Sequence, residues 1–336
     1  MNFLSVFSPE DTVIIQDDLH ITAEEFQSIS KKVAGYVSEK FQSDEIIGVK
    51  SDNSVYGLML AVGASLAGKH VLPLSKMNDG QLNDYAIEET NCQSFIGYGT
   101  DLDHSDISKI ENLPEFEPEQ APGDFIFLSS GSTGKPKIHL NNCINMDKQV
   151  SMDRADLFFS KAGIVDRSEN TIFYAAPVMS AIGSYISFMA LGMVPVYTAG
   201  RPSTEIIQSL IEKNNVKIST GRPSLIERFA SQGITNLGSV DILVSSGSFI
   251  TEENTEYITK NLGISRIVDT YNAAETGIMG IMDFLNDDSF TLIDDAEVVS
   301  VSDVDFEIKT ASTSAIVVDK KIVKTRSEEH TSELQS

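Results

Sequence analysis

A chain of 336 residues with 49 acidic and 25 basic side chains carries a net charge of −24, which excludes the concentrated basic face that a nucleic-acid backbone requires. Its 41% hydrophobic and 22% charged residues exclude a disordered chain, and its length sets a prior of roughly two domains. The only cysteines, Cys92 and Cys143, cannot build a disulfide framework and show no metal-ligand spacing, which points to a reducing, cytoplasmic setting.

The opening MNFLSVFSPED lacks the basic and apolar regions of a signal peptide. Residues 12–16 and 19–21 flank Asp17-Asp18 and predict a hairpin. Thr22 then begins T-A-E-E, a capping box with Glu25, ahead of a helix whose apolar face is Phe26, Ile29, Val33, Val37 and Phe41. Strand 46–49, helix 55–67 and strand 70–74 give a βαβ rhythm. Pro114, Pro118 and Pro122 among acidic residues mark 113–123 as a surface linker.

A second α/β series follows. It comprises strand 125–128, helix 143–159, strand 171–174, helix 181–191, strand 194–197, helix 204–214, strand 216–219, helix 224–231, strand 240–244, helix 252–262 and strand 266–270. Residues 170–200 contain no charge, but Pro177, Gly183, Gly192 and Pro195 break the run. It therefore reads as a buried helix and strand, not a membrane span. Short strands at 278–283, 290–293, 305–308 and 315–318 end the pattern.

The expected fold is α/β: two sublobes with mainly parallel sheets flanked by helices, at 1–112 and 124–277, and the start of a small β-rich sublobe at 278–325. Residues 326–336, RSEEHTSELQS, fit no pattern and read as a non-native tail.

The sharpest chemical signal is LSSGSTGKPK at 128–137, directly after a predicted strand. Backbone N–H groups around Gly131 and Gly134, hydroxyls of Ser129, Ser130, Ser132 and Thr133, and the charges of Lys135 and Lys137 suit phosphate oxygens. The spacing is not that of a Walker loop, because Gly131 and Gly134 are too close and Pro136 follows the lysine. The five histidines, His20, His70, His104, His139 and His330, are dispersed and suggest neither a triad nor a metal site.

The string SSGSTGKPK resembles the phosphate loop of the adenylate-forming superfamily, which includes acyl-CoA synthetases, adenylation domains and luciferases. In the same order, SSGSFI at 245–250 is similar to that family's adenine turn, and YNAAETG at 271–277 to its Y-G-x-T-E element. The resemblance spans roughly residues 10–325 and implies an ATP-dependent ligase making an acyl-adenylate. It implies that Thr133, Lys137 and Glu275 carry the catalysis, with Glu275 holding Mg²⁺. Ser246, Gly247 and Ser248 would line one side of the adenine and Tyr271 the other, with Asn272, Ala273 and Ala274 beside the nucleotide. The acid would lie against Ser180, Gly183, Ser184 and Gly277. Ala274, Asn272 and Ser246 depart from the family's usual Thr, Gly and Gly, which leaves open a non-catalytic relative that binds nucleotide as a scaffold.

Amino-acid-activating members of the resembled family place an Asp near this segment to pair with the substrate ammonium; residues 177–186, PVMSAIGSYI, contain no carboxylate, so the resemblance implies an acid without a free α-amine. The resemblance implies CoA or a phosphopantetheinyl group on an acyl carrier protein as acceptor, while the acidic charge and the broken uncharged run argue for no nucleic-acid partner and no membrane insertion. It also implies a T-G-D element and a smaller C-terminal domain. Here IVKT is followed by Arg326-Ser327, so that domain is expected to be absent and the chain to turn over poorly.

Overall fold

The computed structural model describes residues 2–76, 80–103, 107–117, 121–129, 136–141, 144, 148–165, 170–200, 202–246, 250–273, 277–287, 289–293, 297–301, 305–310 and 313–319. The chain opens with the expected hairpin, β1 (Thr12–Gln16) and β2 (Leu19–Thr22), turning at Asp17 with φ 53°. Helix α1 (Ala23–Lys40) starts on the expected capping box. Thr22 Oγ1 accepts from the Glu25 N–H at 3.2 Å, and the Glu25 carboxylate accepts from the Thr22 backbone. Its buried face, Phe26, Ile29, Val33 and Val37, packs on α2 (Val55–Leu66). The helices meet so closely that a Cβ on Gly63 would lie 2.6 Å from Ser30 O and from Val33.

The next elements are β3 (Ile46–Ser51), β4 (His70–Ser75), α3 (Gly80–Thr90), β5 (Ser94–Gly97), α4 (Ile107–Glu111), β6 (Phe125–Ser129) and β7 (Lys137–Asn141). They build a five-stranded sheet in the order β5-β3-β4-β6-β7, parallel except for the β6–β7 hairpin. Then come α5 (Lys148–Ala162), β8 (Thr171–Phe173), α6 (Ile182–Ala190), β9 (Val194–Tyr197), α7 (Thr204–Lys213), β10 (Ile218–Thr220) and α8 (Pro223–Ser231). β11 (Ile242–Ser246), α9 (Glu252–Glu256) with a π-helical turn to Asn261, β12 (Arg266–Ala273), β13 (Gly277–Asp283) and β14 (Thr291–Leu292) follow. The nine-stranded sheet runs β14-β13-β12-β11-β10-β8-β9-β1-β2, with a parallel centre and antiparallel ends. β15 (Glu297–Val301), β16 (Asp305–Thr310) and β17 (Thr313–Asp319) form a separate antiparallel sheet.

This is the expected class: mainly parallel sheets flanked by helices. The strand pairings nevertheless cross the expected linker at 113–123. β6 and β7 follow that segment yet pair with β4, and the first hairpin joins the nine-stranded sheet through β1 and β9. The cause is a lock where β6 begins: Ser65 Oγ donates to Gly123 O at 2.5 Å, and Val71 N to Asp124 O at 2.8 Å. A Cβ on Gly123 would lie 2.1 Å from Lys69 O, so only glycine permits this approach. Residues 113–117 run along α1, where Ser28 and Lys31 bond Glu115 and Glu117 at 2.6 Å each.

Five elements escaped the sequence reading: α3, β5, α4, β7 and β15. The helix expected at 143–159 is α5, beginning at Lys148. The uncharged run 170–200 resolves into β8, α6 and β9, and among the described residues no helix is long and apolar enough to cross a membrane.

Candidate functional site

Parallel strands send their carboxyl ends to one edge, and in α/β sheets ligands lie in the crevice outside that edge. β8, β10, β11 and β12 are parallel neighbours, as are β3, β4 and β6 in the other sheet. The segments singled out from sequence are the ones that leave these ends.

The β6–β7 ladder closes with Ser129 opposite Lys137. Segment 128–137 is therefore the end of one hairpin strand, a connection, and the start of the next. Lys137 is exposed at its mouth. Ser130, Gly131, Ser132, Thr133, Gly134 and Lys135 lie outside the described residues. A contact with no sequence signal anchors the returning limb: the Tyr85 hydroxyl, on α3, donates to Pro136 O at 3.0 Å.

On the other sheet, Ser246 ends β11 and pairs with Thr270 on β12, whose hydroxyl donates to Ser245 O at 3.0 Å. Tyr271 follows at once, half-buried, its ring centroid 5.7 Å from that of Phe290. The ladder shifts register here, Tyr271 opposite Gly280 but Asn272 opposite Ile278, so Met279 is the extra residue of a bulge. Ala273 pairs with Gly277 and closes the hairpin. Ser246, Tyr271, Asn272, Ala273 and Gly277 thus share one sheet edge, whereas Gly247, Ser248, Ala274 and Glu275 lie outside the described residues.

Residues 177–186, expected from sequence to meet the acid, lie near the first of these groups. Ser180 is exposed just before α6, and Gly183 and Ser184 occupy its first turn. A Cβ on Gly183 would come 3.3 Å from Phe127 Cζ, on the strand leading to Ser129. Ser184 is hydrogen-bonded to Tyr174, and burial pushes that phenol up. Tyr185 and Tyr197 are pushed well above the usual phenol range by burial, and then by neighbouring phenols or carboxylates. Edge-on contacts of 4.9 Å (Tyr174–Tyr185) and 5.2 Å (Tyr185–Tyr197) join the three rings into a buried aromatic shelf.

Asn53, which sequence reasoning passed over, ties the site together. It is 2% exposed with φ 78° at the end of β3. Its amide donates to Thr198 O at 3.2 Å and Ala199 O at 3.0 Å, and its Oδ1 accepts from Val178 N. One side chain therefore holds the end of β9 and the approach to α6 against the five-stranded sheet.

Among the described residues, Lys137 stands at the end of the five-stranded sheet's last hairpin, and Ser246, Tyr271 and Asn272 at the carboxyl edge of the nine-stranded sheet. Among the described residues no group of three or more His, Cys, Asp or Glu could hold a metal ion by itself.

The family model of the AMP-binding enzymes matches residues 6–321. Bacitracin synthase 3 of Bacillus licheniformis is 25% identical over 298 residues, 81% of this chain and 4% of that protein. Acetyl-coenzyme A synthetase of Photobacterium profundum is 30% identical over 178 residues, 48% of this chain and 26% of that protein. The chain thus spans a minor part of the length of both relatives. Among solved structures, the N-terminal subdomain of Klebsiella oxytoca NpsA with 3-hydroxyanthranilyl-AMSN superposes with a TM-score of 0.70 at 17% identity, over 95% of this chain and 88% of that one. Bacillus subtilis o-succinylbenzoate CoA synthetase (MenE) with its acyl-adenylate intermediate gives 0.70 at 15% identity, over 92% and 69%. These likenesses carry the fold, and with the family match over residues 6–321 the chain belongs to the AMP-binding, adenylate-forming enzyme family.

Proposed function

We propose that this chain activates a small carboxylic acid as its acyl-adenylate, with ATP as co-substrate. The observation that carries the reading is the contact of Phe127 with the first turn of α6 at Gly183. It lies between residues 177–186 and the strand that leads into segment 128–137, which supports reading the two as the acid and phosphate sides of one site. In the reaction a carboxylate oxygen attacks the α-phosphorus, the bond to the bridging oxygen of the β-phosphate breaks, and pyrophosphate leaves. The chain's part is positioning and charge neutralisation. Thr133, Lys137 and the amides around Gly131 and Gly134 hold phosphate oxygens, and Tyr271 and residues 246–248 flank the adenine. Glu275 holds Mg²⁺, which when bound neutralises triphosphate charge.

The acid class follows from residues 177–186. They bear no carboxylate, and Ser184 is engaged with Tyr174. An ammonium bound along that segment would find no counter-charge from the segment itself, so the substrate is a fatty, aryl or hydroxy acid without a free α-amine. CoA or a phosphopantetheinyl carrier then accepts the acyl group as a thioester. One observation favours a second reading, a nucleotide-binding scaffold: Ala274 stands where the resemblance calls for threonine.

Pyrophosphate exchange across a panel of aryl, fatty, hydroxy and amino acids, run beside thermal melts with Mg-ATP, separates the readings. Exchange with an acid lacking the amine, together with a raised Tm, is expected. A raised Tm with no exchange for any acid establishes the scaffold. An unchanged Tm at millimolar Mg-ATP overturns both.

A further inference from the structure

We infer that Tyr85 is a positioning residue for the nucleotide phosphates, acting through Pro136; the inference rests on the nucleotide reading of segment 128–137. A loop that cradles phosphates works only if its two limbs are held so that its amides converge before the ligand arrives. The outgoing limb is held well. β6 is an interior strand between β4 and β7, and Phe125 and Ile126 are buried. The returning limb is the weaker one. β7 is the edge strand of its sheet, Ile138 and Leu140 stand exposed, and its ladder begins only at Lys137.

Pro136 precedes that first rung and has no N–H to donate, so it adds no ladder bond of its own. What it has is a carbonyl, and the Tyr85 hydroxyl donates to it at 3.0 Å across 51 residues of sequence. The donor stands on a firm base: α3 packs on β4, Ala86 is buried beside Tyr85, and Asn83 Nδ2 donates to Ser75 O at 2.9 Å. The helix is bolted to the sheet on one side and holds the returning limb on the other. Tyr85 bonds the limb at Pro136, so the effect of losing its hydroxyl falls on phosphate binding. The acid, bound along α6, should not register it.

The test is Tyr85→Phe, which keeps the ring and removes only the hydroxyl. Tyr257→Phe is the control, since that hydroxyl also donates to a backbone carbonyl, Ile234 O, but far from the site. In ligand-free protein, hydrogen exchange of the 137–141 amides should quicken in Tyr85→Phe and not in Tyr257→Phe. In exchange assays the KM for ATP should rise roughly fivefold, the size of one neutral hydrogen bond, with the KM for the acid unchanged. Equal KM values for wild type and Tyr85→Phe, or equal rises for both substrates, overturn the inference. So does unchanged exchange at 137–141, a readout independent of nucleotide. Failure of the wild-type chain to bind Mg-ATP is distinguishable, because it sinks the nucleotide reading while the exchange experiment still reports on the anchor.

Discussion

Asn53 commits both amide hydrogens and its carbonyl oxygen to three backbone groups on two segments distant in sequence. Removing a buried partner costs the desolvation of whatever it leaves unpaired, about 1–3 kcal/mol per group. Asn53→Ala strands two carbonyls and an N–H and places an L side chain at φ 78°, so it should cost at least about 3 kcal/mol in urea unfolding. Asn53→Gly loses the same bonds but suits the left-handed backbone, and should be roughly 1 kcal/mol less harmful. Equal losses for the two variants would mean that the backbone conformation contributes nothing. Gly183 is the complementary case, since it matters for what it lacks. With Phe127 Cζ 3.3 Å from where a Cβ would sit, Gly183→Val must push the ring or the helix aside. The expected result is a raised KM for the acid at constant KM for ATP, read from exchange kinetics. Residues that define motifs were legible in the sequence because small and charged groups cluster there. Asn53 and Tyr85 were not, because their partners lie 145 and 51 residues away, and nothing local distinguishes them from surface polar residues.

At the level of elements, α1 shows how far local chemistry reaches. Its capping box and apolar periodicity were legible because both are complete within one segment, and the structure reproduces them. The same box yields a pH prediction. Burial raises the Glu25 carboxyl above its ordinary range, and this outweighs the opposing hydrogen bond from Thr22. A carboxyl with a raised folded-state pKa makes the fold bind more protons than the unfolded chain, so its contribution worsens as pH rises through that range. Glu25→Gln keeps an acceptor for the Thr22 N–H but does not titrate. The stability of Glu25→Gln minus wild type should therefore increase between about pH 4 and pH 7, followed by urea midpoints. A flat difference would remove the burial effect. Gly63 offers a second test: Gly63→Ala, at the α1–α2 contact, should lower stability by about 1–3 kcal/mol despite alanine's better helix propensity. β7 marks the limit of this reasoning. Lys-Ile-His-Leu-Asn alternates like a strand, but its apolar residues are exposed and its partner, β6, reads on its own as an isolated strand. A hairpin across a Gly-rich connection is decided by the ladder, which no single segment reveals. α3 was missed for a related reason: only Ala86 on it is buried, so it offers no apolar stripe to read.

For the whole molecule, the packing does not respect the division into sheets that βαβ rhythm suggests. One continuous core joins Phe26 and Val33 of α1, Leu58 of α2 and Phe125 of β6 to Ile186 of α6, Ile218 of β10 and Ile281 of β13. The first hairpin pairs with β9, and Gln16 Oε1 accepts from Val55 N at 2.7 Å and from the Tyr197 hydroxyl at 3.2 Å, so each sheet's elements are seated on the other's. Folding class was legible from alternation of elements, but this interlocking was not, because it arises from pairings between the chain's start and its middle. The consequence is thermodynamic. Leu58→Ala, on a helix of the five-stranded sheet, and Ile218→Ala, in the centre of the nine-stranded sheet, should each cost about 2–5 kcal/mol. Because both lie in one core, both should lower a single unfolding transition seen identically by tyrosine fluorescence and far-UV circular dichroism. Two resolved transitions, with each substitution moving only one, would show that the sheets unfold separately. Nucleotide then supplies the third arm. On the proposed reading, segment 128–137 leaves one sheet and segments 245–250 and 271–277 the other, so a nucleotide bridging them would stabilise the joint transition rather than either half. Mg-ATP at roughly 100 times its Kd should add about 2.7 kcal/mol to that transition in wild type and in both core variants alike. On the same reading, Gly131→Val should abolish the increment while leaving the ligand-free transition within about 0.5 kcal/mol of wild type.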